Sequence, residues 1–155
     1  MDRFRNIVID EPFDMIVAIA NGGLVPAGIL AQRLGAGGAS CGTNGSTGSS
    51  TSANGGIEVR LLRINLRDEQ QRPRYDAPQL LSPIDFEFAG KRILLVDDRI
   101  KSGSTIRLAR ELLADAAVVR TFAVNGTADY ALYDEACFRF PWVGTPTAAG
   151  TLSAV

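Results

Sequence analysis

Two adjacent carboxylates, Asp97 and Asp98, follow the apolar run Ile93 to Val96, and a loop of small residues, Ser102, Gly103, Ser104 and Thr105, comes a few positions later. An acidic pair at a strand end can face hydroxyls or a divalent cation. Small residues at the start of a helix let backbone N–H groups and hydroxyls converge on an anion, and the helix dipole favours a phosphate there. Carboxylates beside that pocket repel phosphate, so they must face something else, such as ribose hydroxyls or a divalent cation. In open α/β sheets ligands bind beyond the carboxyl ends of the strands, where this pair falls.

Other chemistries are excluded by what the chain lacks. It has no His, which removes Ser/His and Cys/His nucleophilic pairs and any His-based zinc site. Cys41 and Cys137 stand far apart and form neither a disulfide framework nor a metal cluster. A net charge of -1 argues against a nucleic-acid coat or a binder of acidic membranes. No apolar run approaches the ~20 residues that span a bilayer, and the opening MDRFRNIVID offers no signal-peptide core, so a cytoplasmic protein is expected.

The elements that position these residues follow from the apolar pattern. Met15 to Ala20 is an uninterrupted apolar run ended by Asn21, Gly22 and Gly23, with a periodic stretch from Leu24 to Leu34: strand, glycine turn, helix. A strand apolar on both faces implies helices on both sides of a parallel sheet. Ile57 to Leu66 and Val118 to Val124 read as further strands. Lys91 to Asp98 is the strongest strand, followed by a helix over about Thr105 to Ala114. Arg67 to Pro83 is polar, holds three prolines and reads as a long loop of the kind that serves as a lid.

Half of the sixteen glycines fall between Gly35 and Gly56, in a block of Gly, Ser, Thr, Asn, Ala and one Cys that cannot bury enough apolar surface to fold. It reads as a flexible insertion at 36–56. The expected organisation is one domain over 1–143 with that insertion, followed by a tail at 144–155. Without the insertion and tail, roughly 120 residues remain, enough for one hydrophobic core. The fold class is α/β, an open, mostly parallel sheet with flanking helices and a small C-terminal hood.

On these residues the chain resembles the type I phosphoribosyltransferases. ILLVDDRIKSGST looks like their signature for 5-phosphoribosyl-1-pyrophosphate (PRPP), and DMIVAIANGGLVPAGILAQRLG is similar to their first strand, pyrophosphate loop and following helix. ADYALYDEACFRFPW resembles the base-binding end of the xanthine-guanine and related purine enzymes. The resemblance implies a pentosyltransferase of nucleotide salvage that moves the ribose-5-phosphate of PRPP to a nitrogenous base, a purine, with release of pyrophosphate and use of Mg²⁺.

Residue by residue, it implies that Ser102, Gly103, Ser104 and Thr105 hold the 5-phosphate and that Asn21, Gly22 and Gly23 bind pyrophosphate. Asp97 and Asp98 would meet the ribose hydroxyls directly or through Mg²⁺, with Lys101 completing the catalytic set. Arg72, Arg74 and Tyr75 occupy the lid, and Asn125 and Phe138 the base site. The expected partners are PRPP, a small base and a second copy of the chain, with no nucleic acid and no membrane.

The chain makes four departures from the family pattern. Asn21 stands where Arg or Lys is usual, and Lys101 where the 6-oxopurine enzymes carry an Asp facing the base. Val124 and Asn125 fall about where those enzymes place a Lys, and Cys137 where a stacking aromatic often stands. These departures support an alternative, a PRPP- or nucleotide-binding regulator of the same fold with weakened turnover. A phosphoacceptor receiver domain, which also places an acidic pair after its first strand, is excluded because only 57 residues follow Asp98.

Overall fold

The computed structural model describes residues 2–36, 56–65, 77–140 and 142. The chain order is α1 (Asp2–Asn6), β1 (Met15–Ile19), α2 (Leu24–Ala36), β2 (Glu58–Leu62), β3 (Ile64–Asn65), β4 (Gln79–Leu80), β5 (Arg92–Ile100), α3 (Ser104–Leu112), β6 (Val118–Gly126) and β7 (Tyr130–Tyr133). Five strands form one parallel sheet in the order β2-β1-β5-β6-β7, and β3 and β4 form a separate antiparallel pair.

The apolar runs are uninterrupted because both faces of the sheet are covered. By the two-residue period of a strand, Ile16, Ala18, Leu94, Val96, Phe122 and Val124 face α2, where they pack with Phe4, Ala27 and Leu30. Met15, Val17, Ile19, Ile93 and Leu95 face the other way and pack with Ala109, Leu113, Leu62, Ile64 and Phe86.

Three local features differ from the sequence expectation. The run Ile57 to Leu66 is two strands, because β1 stops: Ile19 is the last partner of Leu62, and the Leu62 carbonyl accepts the Ala20 N–H at 3.0 Å. Beyond Arg63 the chain pairs with β4, Ile64 against Leu80, and Leu81 donates to the Arg63 carbonyl at 2.7 Å. The N-terminus forms the short helix α1, whose Phe4 enters the core.

Finally, β7 runs parallel to β6 although three residues separate them, where parallel neighbours ordinarily need a crossover of a dozen or more. Gly126 makes the reversal possible. Its φ of 119° lies outside the range of other residues, and a Cβ there would strike the Ile100 carbonyl. Asp129 fixes the return, its Oδ2 accepting from the Thr121 N–H and hydroxyl, each at 2.7 Å, and from Arg110 at 2.9 Å.

Among the described residues no helix is long and apolar enough to cross a membrane. The Gly/Ser block lies almost wholly outside the described residues. It connects α2 to β2, an edge strand of the main sheet.

Candidate functional site

The acidic pair sits at a step in the sheet. Pairing of β5 with β1 ends at Ala18 and Val96, while pairing with β6 continues through Asp97 and Ala123 to Ile100 and Gly126. Asp97 and Asp98 therefore occupy the first positions of β5 that have lost their β1 neighbour, and the Asp98 carboxylate faces the turn after β1. Asp97 is buried and its Oδ1 accepts the Asp98 N–H at 2.8 Å. Burial first, and the adjacent Asp98 charge second, push its carboxyl well above the usual carboxylate range. Asp98 is half-buried and is the carboxylate more open to a ligand.

The turn after β1 is built around two glycines. The Ala20–Asn21 peptide is cis, and Gly23 donates to the Ile19 carbonyl at 2.8 Å. A Cβ on Gly23 would collide with the Val96 carbonyl and the Ile19 backbone, and a Cβ on Gly22 with the Asp98 carboxylate. The turn thus lies directly against the acidic strand, with Asn21 exposed.

On the other side of the acids, Gly103 has a φ of 72° and stands immediately before α3, where as a glycine it offers the helix no side-chain cap. Its carbonyl accepts the Arg107 N–H at 2.9 Å and opens the helix. The hydroxyls of Ser102 and Ser104 lie 3.0 Å apart. The Ser104 N–H donates to the Ser102 hydroxyl at 3.4 Å, so the first turn of α3 and these two hydroxyls lie together at the helix start where the sequence predicts an anion site. Ser102 and Ser104 also line an open cleft of about 450 Å³ with Ala77, Pro78, Arg107, Leu108 and Glu111. Ala77 and Pro78 follow the segment of Arg72, Arg74 and Tyr75, and those three expected lid residues lie outside the described residues. Lys101 is exposed. Arg99, Lys101 and Arg107 have no ion pair among the described residues.

The base-side expectations fall on the segment after β7. Asn125 is buried and bonded on both its amide groups: Nδ2 donates to the Glu135 carbonyl and Oδ1 accepts the Glu135 N–H, each at 2.8 Å. It holds the backbone of the hood. Phe138 belongs to an aromatic ladder, 4.5 Å from Tyr133 and 5.1 Å from Phe140, which stacks on Trp142 at 5.3 Å. Cys137 is exposed. Arg99, which the sequence reading passed over, joins this group: Nη2 donates to the Phe138 carbonyl at 2.6 Å and Cζ lies 5.0 Å from the Phe140 ring centroid. A basic residue directly after the acidic pair, one strand away from Asn125, was the available signal.

An open parallel sheet covered by helices, with an acidic step, a glycine turn and a helix start at its carboxyl edge, defines the α/β class of the protein. The chain belongs to the phosphoribosyl transferase domain family, whose model matches residues 2–139, and that family is a pentosyltransferase class of enzymes. It is 29% identical over 116 residues to a xanthine-guanine phosphoribosyltransferase of Chromohalobacter salexigens, covering 75% of this chain and 56% of that protein. The chain thus spans little more than half the length of that curated relative. Among solved structures, a purine phosphoribosyltransferase from Pyrococcus horikoshii superposes with a TM-score of 0.61 at 21% identity, covering 89% of this chain and 82% of that one. A hypoxanthine phosphoribosyltransferase from Trypanosoma cruzi, in complex with IMP, superposes with a TM-score of 0.58 at 12% identity, covering 86% and 68%. These likenesses carry the fold.

Proposed function

We propose that this protein transfers the ribose-5-phosphate group of PRPP to a nitrogenous base, a purine, releasing pyrophosphate. The observation that carries the reading is the packing of the glycine turn against Asp98, with the helix-start cradle beginning four residues further along the chain. One ligand with a phosphate, a hydroxylated ring and a second anionic group matches that order of features. The purine class follows the names of the relatives.

In this reading Ser102 to Thr105 hold the 5-phosphate, and Asn21, Gly22 and Gly23 offer backbone amides to the pyrophosphate. The bond from the ribose anomeric carbon to the pyrophosphate oxygen breaks, a bond from that carbon to a base nitrogen forms, and the proton of that nitrogen passes to water. Asp98, the more open carboxylate, lies where positive charge develops on the ribose, and Asp97 supports it from beneath. In the same reading Arg72, Arg74 and Tyr75 serve as the lid over the leaving group, Phe138 meets the base and the exposed Lys101 completes the catalytic set.

Among the described residues no three acidic or Cys side chains converge on one point. Two adjacent carboxylates nevertheless suit Mg²⁺, which characteristically takes one or two carboxylates and completes its shell with ligand oxygens and water. Asp97 and Asp98 would hold it, and it would supply charge neutralisation for the departing pyrophosphate. A cytoplasmic homodimer is the proposed working form.

The test is to incubate purified protein with PRPP, Mg²⁺ and a panel of purines and pyrimidines. Pyrophosphate release with at least one purine is expected. Silence across the panel would refute the transferase reading. Saturable PRPP binding in that case would favour the regulatory alternative that the uncharged Asn21 supports.

A further inference from the structure

We propose that Arg99 is a positioning residue that ties the acidic strand to the aromatic hood and so sets the base end of the site. The inference rests on the transferase reading for its kinetic consequence, and on geometry alone for its structural one.

Arg99 follows Asp98 on β5 and is in register with Asn125 on β6. From these neighbouring strand positions the two side chains reach the same segment. Asn125 grips both backbone groups of Glu135, and Arg99 grips the Phe138 carbonyl. The flat guanidinium is also placed over Phe140, so one rigid group fixes a peptide and a ring relative to Asp98.

Stability alone does not account for an arginine here. Its Nε is buried without a hydrogen-bond partner, and its charge has no carboxylate partner among the described residues. A buried unpaired donor weakens the fold, and an apolar side chain of similar length would fill the space without that penalty. What Arg99 provides instead is a fixed distance between the acids and Phe138. Through Phe140 the tie reaches Trp142, which packs in turn near Phe4, 6.5 Å away.

Trp142 is the single tryptophan of the chain, so its emission reports the ladder without interference and without turnover. The experiment compares Arg99→Met with the parent protein in ligand-free emission, PRPP affinity and steady-state kinetics. Expected are a red shift and broadening of Trp142 emission, a base KM raised about tenfold or more, and PRPP affinity within about twofold, because the hydrogen bond and ring contact of Arg99 go to Phe138 and Phe140 while Ser102 and Ser104 bond to each other. Unchanged emission would overturn the proposal. So would a loss of PRPP affinity as large as the loss in base KM, since that pattern marks general damage. If the parent protein transfers nothing, the transferase reading falls and the emission comparison still decides the role of Arg99. If Arg99→Met fails to fold, Arg99→Gln is read the same way, with the same shift expected and the same absence of shift overturning.

Discussion

A methyl group added to Gly22 would overlap the carboxylate of Asp98. The turn after the first strand and the acidic strand beside it are therefore fitted to each other, and the fit exists only because residue 22 has no side chain. Gly23 is constrained differently, for its missing Cβ leaves room for the Val96 carbonyl and the Ile19 backbone.

The two glycines should fail in different ways. In Gly22→Ala the obstructing atoms belong to a side chain that can rotate, so the fold survives and Asp98 leaves its place. PRPP affinity is expected to fall by about tenfold or more, or about 1.4 kcal/mol, with a small change in melting temperature. In Gly23→Ala the obstruction is main chain, and a loss of about 1–3 kcal/mol of stability is expected. Calorimetric titration and urea unfolding of both variants would separate the outcomes. Equal effects on binding and stability in the two variants would refute the distinction.

At Gly103 the constraint is conformational. Its φ is 72°, yet a Cβ would meet nothing within 4 Å. Gly103→Val should lose about 1–2 kcal/mol and weaken PRPP binding, whereas Gly103→Asn should keep most of the stability because Asn tolerates the left-handed region. A Val variant as stable as the Asn variant would show that the loop relaxes to another conformation.

Much of this site is legible in the sequence because strong, redundant signals carry it. Four apolar residues ahead of Asp97 and Asp98 mark a strand buried on both faces, and Gly103 between two serines marks a helix start. What escaped depended on partners remote in sequence. The five residues of α1 are too few to show a helical period, and Phe4 is recognisable as core only once Phe122 stands 5.9 Å away. The pairs formed by Ile64 and Asn65 with Leu80 and Gln79 are two residues long, below any pattern. The role of Arg99 rests on a carbonyl 39 residues further on, which its place after the acidic pair does not by itself reveal.

The Gly/Ser block joins α2 to the edge strand β2, while the glycine turn, the acidic pair and the cradle lie elsewhere in the chain. Deleting Gly37 to Asn54 should leave PRPP affinity within about threefold, because shortening such a connection changes closure entropy only slowly with length. A collapse of affinity at unchanged melting temperature would assign the block to the site.

Asp129 makes the stability of the hood dependent on pH. Burial alone would raise its carboxyl, but the hydroxyl and N–H of Thr121 and the charges of Arg110 and Arg120 outweigh burial and hold it below the ordinary value. A carboxyl depressed in the folded state contributes stability that is fully present above the unfolded value near 3.9 and is lost as pH falls through the folded one. Asp129→Ala should therefore cost about 1 kcal/mol at pH 7, a figure reduced from that of a buried pair because solvent reaches the carboxylate. The gap between parent and variant should narrow steadily below about pH 4 as the parent's own Asp129 is protonated. Urea unfolding at neutral and acid pH measures both values, and a gap of constant size would mean that packing at residue 129, rather than its charge, secures the return from β6 to β7.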